Sequence, residues 1–390
     1  MRVSQINLSG IWPRSLLLIA LAFSAGSPSS SIVFGQHTAF VSAIARFEAQ
    51  IAQDVAKDSI GGITAGVVVG NNVVWKRGFG WADVANRIPA DGGTIYRIGS
   101  ISKSFTAMLM MQLAHKGVLR LDDPVERYLP EIKNLTNVPS NARPITLRQL
   151  ATHTSGLALE PKLPDAAAGP IAGWEEKILA SIPTIPFVAS PGEKFSYSNV
   201  GYGILGLAIS RAAKRPFMEL VKEFIFDPLG VENTAYIVTS AMQSYLAAGY
   251  SNEDPAKIDA EKPAREHAGR GYKVPNGGIY SNIDDLALFM QAQAEALNTR
   301  ILSEENRQEM QRIQTSESQK TGYGLGFSVS ITDAGVKMVG HGGSVAGYSA
   351  YLVFDPDSKI GVILLRNYNR GSTNLGQAAK MLLSQLIASR

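Results

Sequence analysis

Ser100-Ile101-Ser102-Lys103 heads an apolar, methionine-rich stretch, Phe105-Thr106-Ala107-Met108-Leu109-Met110-Met111. A helix starting near Ser100 puts Ser100 and Lys103 on one face, because residues three apart are neighbours on a helix surface. A serine hydroxyl is a poor nucleophile until a nearby base takes its proton. A lysine one turn away, partly desolvated at a helix start, can be that base. Burial and the positive helix end both disfavour its charged form. A lone Ser-x-x-Lys carries little weight, but two further polar sets accompany this one. Tyr197-Ser198-Asn199 lies in the segment Pro191 to Gly203, and His341-Gly342-Gly343-Ser344 follows the strand-like Val336-Lys337-Met338-Val339.

These groups lie far apart in the chain, so the fold must bring them together. Residues 40–55 carry apolar side chains at helical spacing (Val41, Ile44, Phe47, Ile51, Val55). Residues 63–69 and 73–77 read as two strands joined by a turn at Gly70-Asn71-Asn72. The serine-bearing helix stops near Gly117. From about 120 to 315 the patterns are mainly helical and broken by Pro and Gly, with irregular polar stretches at Glu160–Glu193 and Ser251–Pro275. Long loops of this kind often wall binding sites. Strand patterns return at 325–331, 336–339, 350–354 and 360–365, and residues 375–387 read as a closing helix. Strands at both chain ends and helices between them predict an α+β fold. An antiparallel sheet of N- and C-terminal strands is flanked by helices, with a mainly helical lobe inserted. A cleft between the two parts is where ligand sites prefer to lie.

The three polar sets, in this order and at these separations, resemble the serine β-lactamase and penicillin-binding-protein superfamily. The likeness is to the class C β-lactamase-like branch, which includes D,D-peptidases, D-aminopeptidases, esterases and the mitochondrial β-lactamase-like protein. It is reinforced by Tyr96-Arg97-Ile98-Gly99, Leu121-Asp122-Asp123-Pro124-Val125, Leu150 to Leu157, Asn276-Gly277-Gly278-Ile279-Tyr280-Ser281 and Gly347-Tyr348, and spans roughly residues 40–388. It implies a β-lactamase/D,D-peptidase-like fold and assigns roles. Ser100 is the nucleophile and Lys103 the base. Tyr197 passes a proton to the leaving group, its pKa lowered by Lys103. Asn199 holds the Lys103 ammonium and a substrate carbonyl, while Ser198 is a spacer. The backbone N–H groups of Ser100 and Ser344 form the oxyanion hole, with Gly343 allowing close approach. His341 stands where the penicillin-destroying members typically carry lysine. A histidine is mostly neutral at pH 7 and titrates near 6.5. That favours an ester, amide or D-peptide substrate over efficient β-lactam hydrolysis.

The expected activity is therefore an exported serine hydrolase that cleaves an amide or ester through an acyl-enzyme on Ser100. The alternative is a penicillin-binding sensor or scaffold that becomes acylated and stays so. The partner is a small-molecule or peptide substrate, including peptidoglycan-derived ones, and no cofactor is called for. The remaining histidines, His37, His115, His153 and His267, show no metal-ligand spacing. His153, in the turn Thr152-His153-Thr154-Ser155-Gly156, reads as structural. Gly201 to Gly206 matches a dinucleotide fingerprint by letters, but no buried strand precedes it and no acidic residue follows at the right distance. No Gly-x-Ser-x-Gly elbow is present.

Composition sets outer limits. The 390 residues carry a net charge of +4 without any basic run, which argues against nucleic acid. There is no cysteine, hence no disulfide, thiolate metal site or cysteine nucleophile. Arg2 and Arg14 precede the apolar run Leu16 to Phe23 and then small residues. This reads as a secretory leader over residues 1–35, cut near 26 or near 35, with the hydrolase domain at 36–390. The apolar run is shorter than the roughly 20 residues a spanning helix needs. The expected location is periplasmic or secreted, with no stable membrane span after processing.

Overall fold

The computed structural model describes residues 29–254, 256–297, 301–318 and 320–390. The expected leader lies outside the described residues as far as residue 28. Helix α1 (Ser29–Asp58) leads into strands β1 (Gly62–Val69) and β2 (Asn72–Asp83), followed by the short edge strand β3 (Ile88–Pro89). The chain then enters helix α2 (Ser102–His115) and a lobe of short helices that includes α3 (Asn199–Ala213). It returns to the sheet through β4 (Thr315–Ser318), β5 (Thr321–Tyr323), β6 (Ser328–Ile331), β7 (Lys337–Val345), β8 (Tyr348–Asp355) and β9 (Ile360–Arg366), and closes with α4 (Leu375–Ala388). Among the described residues these strands form one nine-stranded sheet in the order β3-β2-β1-β9-β8-β7-β6-β5-β4, paired antiparallel throughout.

The first and last strands of the chain meet at the sheet's centre, with Ile63 opposite Arg366 and Val69 opposite Ile360. Both are apolar on both faces, as a strand covered on two sides must be. Alternate side chains enter different cores. Ile63, Ala65, Val67, Val362 and Leu364 pack with Ile51, Val55, Leu382 and Leu383 of α1 and α4. Val68, Ile363 and Leu365 face the opposite way, into the core shared with α2 and the helical lobe.

α2 is the centre of that second core. Every residue from Ser102 to Leu113 is buried, so the helix has no solvent face and its run of Phe, Met and Leu is explained. Phe105 stacks on Phe289 at 3.9 Å between ring centroids. The helical reading is corrected at its first turn: Gly99–Ile101 form a 3₁₀ turn, and the α-helix proper begins at Ser102. Two strand expectations also change. The segment 325–331 is strand only from Ser328, and β4 and β5 lie at 315–323, between the stretch read as mainly helical and the first expected strand. His341-Gly342-Gly343-Ser344 continues the strand begun at Lys337 and lies within β7.

Candidate active site

The nucleophile turn is pressed against β7. β6 pairs with β7 only as far as Gly340, so residues beyond it present a free edge. The Ser100 turn docks there. Gly99 has φ of 53°, and a Cβ on it would lie 2.7 Å from the Ser344 amide nitrogen. A Cβ on Gly343 would lie 1.9 Å from the Ile98 carbonyl oxygen and 3.2 Å from the Ser100 amide nitrogen. Two glycines thus permit an approach that any side chain would block. The same approach brings the backbone nitrogens of Ser100 and Ser344 to one junction between the turn and the strand.

Ser100 is half-buried, and Lys103 beneath it is sealed at 0% exposure. The Lys103 Nζ has three close partners: Ser100 Oγ at 3.0 Å, Asn199 Oδ1 at 2.8 Å and the Asn276 carbonyl oxygen at 3.1 Å. Carbonyl oxygens can only accept, so the last two consume two N–H bonds. In a neutral amine the remaining position is the lone pair, and it faces the serine hydroxyl. Burial, with Lys273 and then Arg270 adding repulsion against an opposing Glu160, holds the Lys103 pKa well below its ordinary value.

Tyr197 arrives just before α3. Ser198 is more than a spacer: it caps that helix, accepting from the Gly201 amide at 3.0 Å and donating to the Ala158 carbonyl at 2.7 Å. His153 clamps the same segment from behind. Its carbonyl accepts from the Ser196 amide at 2.7 Å, its Nδ1 accepts from the Ser198 amide at 3.0 Å, and its ring lies 4.1 Å from that of Tyr197. Its left-handed backbone (φ 59°) fits the turn role read from the sequence. Tyr197 hydrogen-bonds Ser100, yet burial dominates and pushes its pKa up rather than down. The Lys103 Nζ lies 4.8 Å from the centroid of the tyrosine ring. Tyr197 is therefore held protonated, beside a lysine whose burial disfavours its charged form.

His341 is buried and fully partnered. Its Nδ1 bonds the Gly342 carbonyl at 2.6 Å, and its Nε2 lies 2.9 Å from the Tyr323 hydroxyl. With Nδ1–H donating, Nε2 accepts from the tyrosine and no ring nitrogen is left over. The expectation of titration near 6.5 is corrected. Burial, reinforced by Lys103 and only partly offset by the Gly342 carbonyl, lowers the pKa to about 3.

Sequence reasoning missed the groups behind Asn199. Glu160 Oε1 accepts from Asn199 Nδ2 at 2.8 Å and from Lys273 Nζ at 2.8 Å, and its other oxygen bonds the Tyr272 hydroxyl. Burial works against this carboxylate, but Lys273, Tyr272 and Asn199 outweigh it and hold its pKa below the ordinary value. Asn276 Nδ2 donates to the Asn199 carbonyl at 2.7 Å. Signals existed for two of these: Asn276 opens one of the family-like segments, and Glu160 begins an irregular stretch marked as a pocket wall. The glycines of Gly201 to Gly206 serve packing, with Ile178 over Gly203 and Pro275 over Gly206. Among the described residues no cluster of His, Asp and Glu could hold a metal ion, and no helix is long and apolar enough to cross a membrane.

Comparison with known proteins agrees with this geometry. In sequence, the chain is 25% identical over 320 residues to Protein flp of Staphylococcus aureus (strain MW2), covering 82% of this chain and 62% of that protein. It thus spans less than two thirds of such a relative. It is 27% identical over 343 residues to a beta-lactamase of Yersinia enterocolitica, covering 79% of this chain and 82% of that one. In structure, it is similar to the octameric penicillin-binding protein homologue from Pyrococcus abyssi, with a TM-score of 0.73 and 30% identity over 88% of this chain and 77% of that chain. Residues 47–385 match the Beta-lactamase family. The chain belongs to the β-lactamase family, a membership that supports serine hydrolase activity in general.

Proposed function

We propose that this protein is an exported Ser-x-x-Lys hydrolase that cleaves an amide or ester through an acyl-enzyme on Ser100. The observation that carries the reading is the environment of Lys103 Nζ, where two carbonyl acceptors leave a lone pair aimed at Ser100 Oγ 3.0 Å away. In this reading Lys103 takes the hydroxyl proton and Ser100 Oγ bonds to the substrate carbonyl carbon. The oxyanion rests on the Ser100 and Ser344 amides. As the scissile C–N or C–O bond breaks, Tyr197 gives its proton to the leaving atom and the Lys103 ammonium restores it. Water then attacks the ester on Ser100 with the same groups acting in reverse.

The neutral His341 offers no fixed charge to a penicillin carboxylate, which favours a peptide, amide or simple ester. The basic and apolar N-terminal residues support export to a periplasm or medium. Intact-mass spectrometry of the protein with a penicillin over time, beside Ser100→Ala, tests the reading. A transient or lasting adduct on Ser100 supports acyl transfer, and a lasting one marks a D,D-peptidase-like enzyme or the non-hydrolytic sensor. If no acylation of Ser100 occurs with a penicillin, a short-chain ester or a D-amino-acid amide, the assignment fails.

A further inference from the structure

This inference rests on the acyl-enzyme reading and extends it to the substrate. Beside Ser344 lies a cavity of about 500 Å³, walled by Glu160, Tyr272, Lys273 and Arg270. Arg270 Nε is 2.7 Å from Glu266 Oε2, and the same oxygen meets Arg97 Nη1 at 3.0 Å. One carboxylate therefore serves two guanidiniums and leaves a positive charge in excess. Arg97, with a side chain 2% exposed, is sealed behind, whereas Arg270 keeps 13% and fronts the cavity. The Nε contact with Glu266 is an ion pair by distance, and Nε itself is buried without a hydrogen-bond partner. A Cβ on Gly277 would lie 3.2 Å from Arg270 Nη1 and 3.9 Å from the Gly99 carbonyl carbon, so the guanidinium stands close to the Ser100 turn. Lys273 Nζ spends one donor on Glu160 and has two left.

The nearby acids are largely committed. Glu160 is held by Lys273, Glu266 by the two arginines and Glu253 by Lys262 at 2.7 Å, while Asp165 stands exposed at the rim. None of Tyr197, His153, Tyr323 or His341 lines this space. It therefore reaches Ser344 without being walled by the leaving-group donor Tyr197. We infer that this cavity receives the acyl portion of the substrate, and that Arg270, assisted by Lys273, selects acyl groups bearing a carboxylate. A guanidinium fork matches a carboxylate in two parallel hydrogen bonds. Burial and the nearby Arg97 hold the Arg270 pKa below its usual value, a strain that a bound anion relieves.

The test compares the p-nitrophenyl half-ester of glutarate with its methyl-capped, uncharged counterpart. A charge-assisted pair corresponds to a preference in kcat/KM of roughly 10- to 100-fold for the anionic ester. In Arg270→Gln that ratio should fall to about one, and Arg270→Lys should restore part of it. A wild-type ratio of one or less overturns the inference whether or not the variants fold, as does a ratio that survives Arg270→Gln. If neither ester is turned over in a Ser100-dependent way, the hydrolase reading is decided by the acylation experiment above and the anion site by binding. Calorimetric binding of glutarate to Ser100→Ala, lost in the double variant with Arg270→Gln, then decides the anion site alone, and no binding overturns it.

Discussion

Glu160 fixes which way Asn199 faces. By accepting from Asn199 Nδ2 at 2.8 Å, it leaves Oδ1 to meet the Lys103 Nζ at the same distance. Lys273, on the far side of Glu160, completes a chain of alternating charge that ends at the base. The two ends act on Lys103 in opposite senses: Glu160 favours the ammonium, while Lys273 opposes it. The acid limb of kcat/KM reports the pH at which free-enzyme Lys103 loses its proton. Glu160→Gln should move that limb to lower pH and Lys273→Met to higher pH. Limbs that stay put, or move together, would show that the base is insulated from this chain.

Lys103→Met should retain the fold while losing at least about 10³-fold in acylation rate, in the range set by the loss of an activating base. Lys103→Arg should fare no better, because a guanidinium keeps its proton. Stopped-flow acylation by an activated ester measures both, with Ser100→Ala as the floor. Near wild-type acylation in either variant removes Lys103 from the base role.

Much of this site is legible in the sequence because its contacts are local or depend on residue type. Ser100 and Lys103 are one turn apart, and Gly342 and Gly343 announce a close backbone approach. The nearly continuous apolar runs of β1 and β9 likewise fit a sheet covered on both faces. What is not legible comes from distant packing. Nothing near Tyr197 in sequence says that His153 stacks on it or that the fold buries it, and burial raises its pKa against the lowering expected from Lys103. His341 is a neutral strut rather than a titrating group because the fold buries it near Lys103, while Tyr323, from a strand not expected in the sequence, meets its Nε2. Glu160 and Lys273 meet across 113 residues of chain.

Acid stability should carry the mark of His341. Its folded pKa of about 3 lies below the ordinary 6.5, so between those values the unfolded chain binds a proton that the folded one refuses. Stability is complete above about 6.5 and declines as pH falls towards 3. The slope is about 1.4 kcal/mol per pH unit for one proton. His341→Gln keeps a donor and an acceptor near Gly342 and Tyr323 without titrating. Its Tm should fall less steeply than that of the wild type between pH 6 and pH 4. Parallel curves would mean that His341 takes up its proton without unfolding.

The contact between the Ser100 turn and β7 predicts a contrast between adjacent glycines. A Cβ at Gly343 would lie 1.9 Å from the Ile98 carbonyl oxygen, and neither backbone can yield without separating the two amides of the oxyanion hole. Gly343→Ala should therefore lower kcat/KM by about 10² or more, the usual effect of losing one oxyanion donor, and should lower Tm. At Gly342 the added carbon would meet only the Tyr351 ring, at 3.2 Å, and a ring edge can shift by a few tenths of an ångström. Gly342→Ala should keep activity within about threefold, a small change on the scale of that oxyanion effect. Paired measurements of kcat/KM and Tm check this. Equal losses in the two variants would place the constraint in the strand as a whole rather than at its junction with the nucleophile turn.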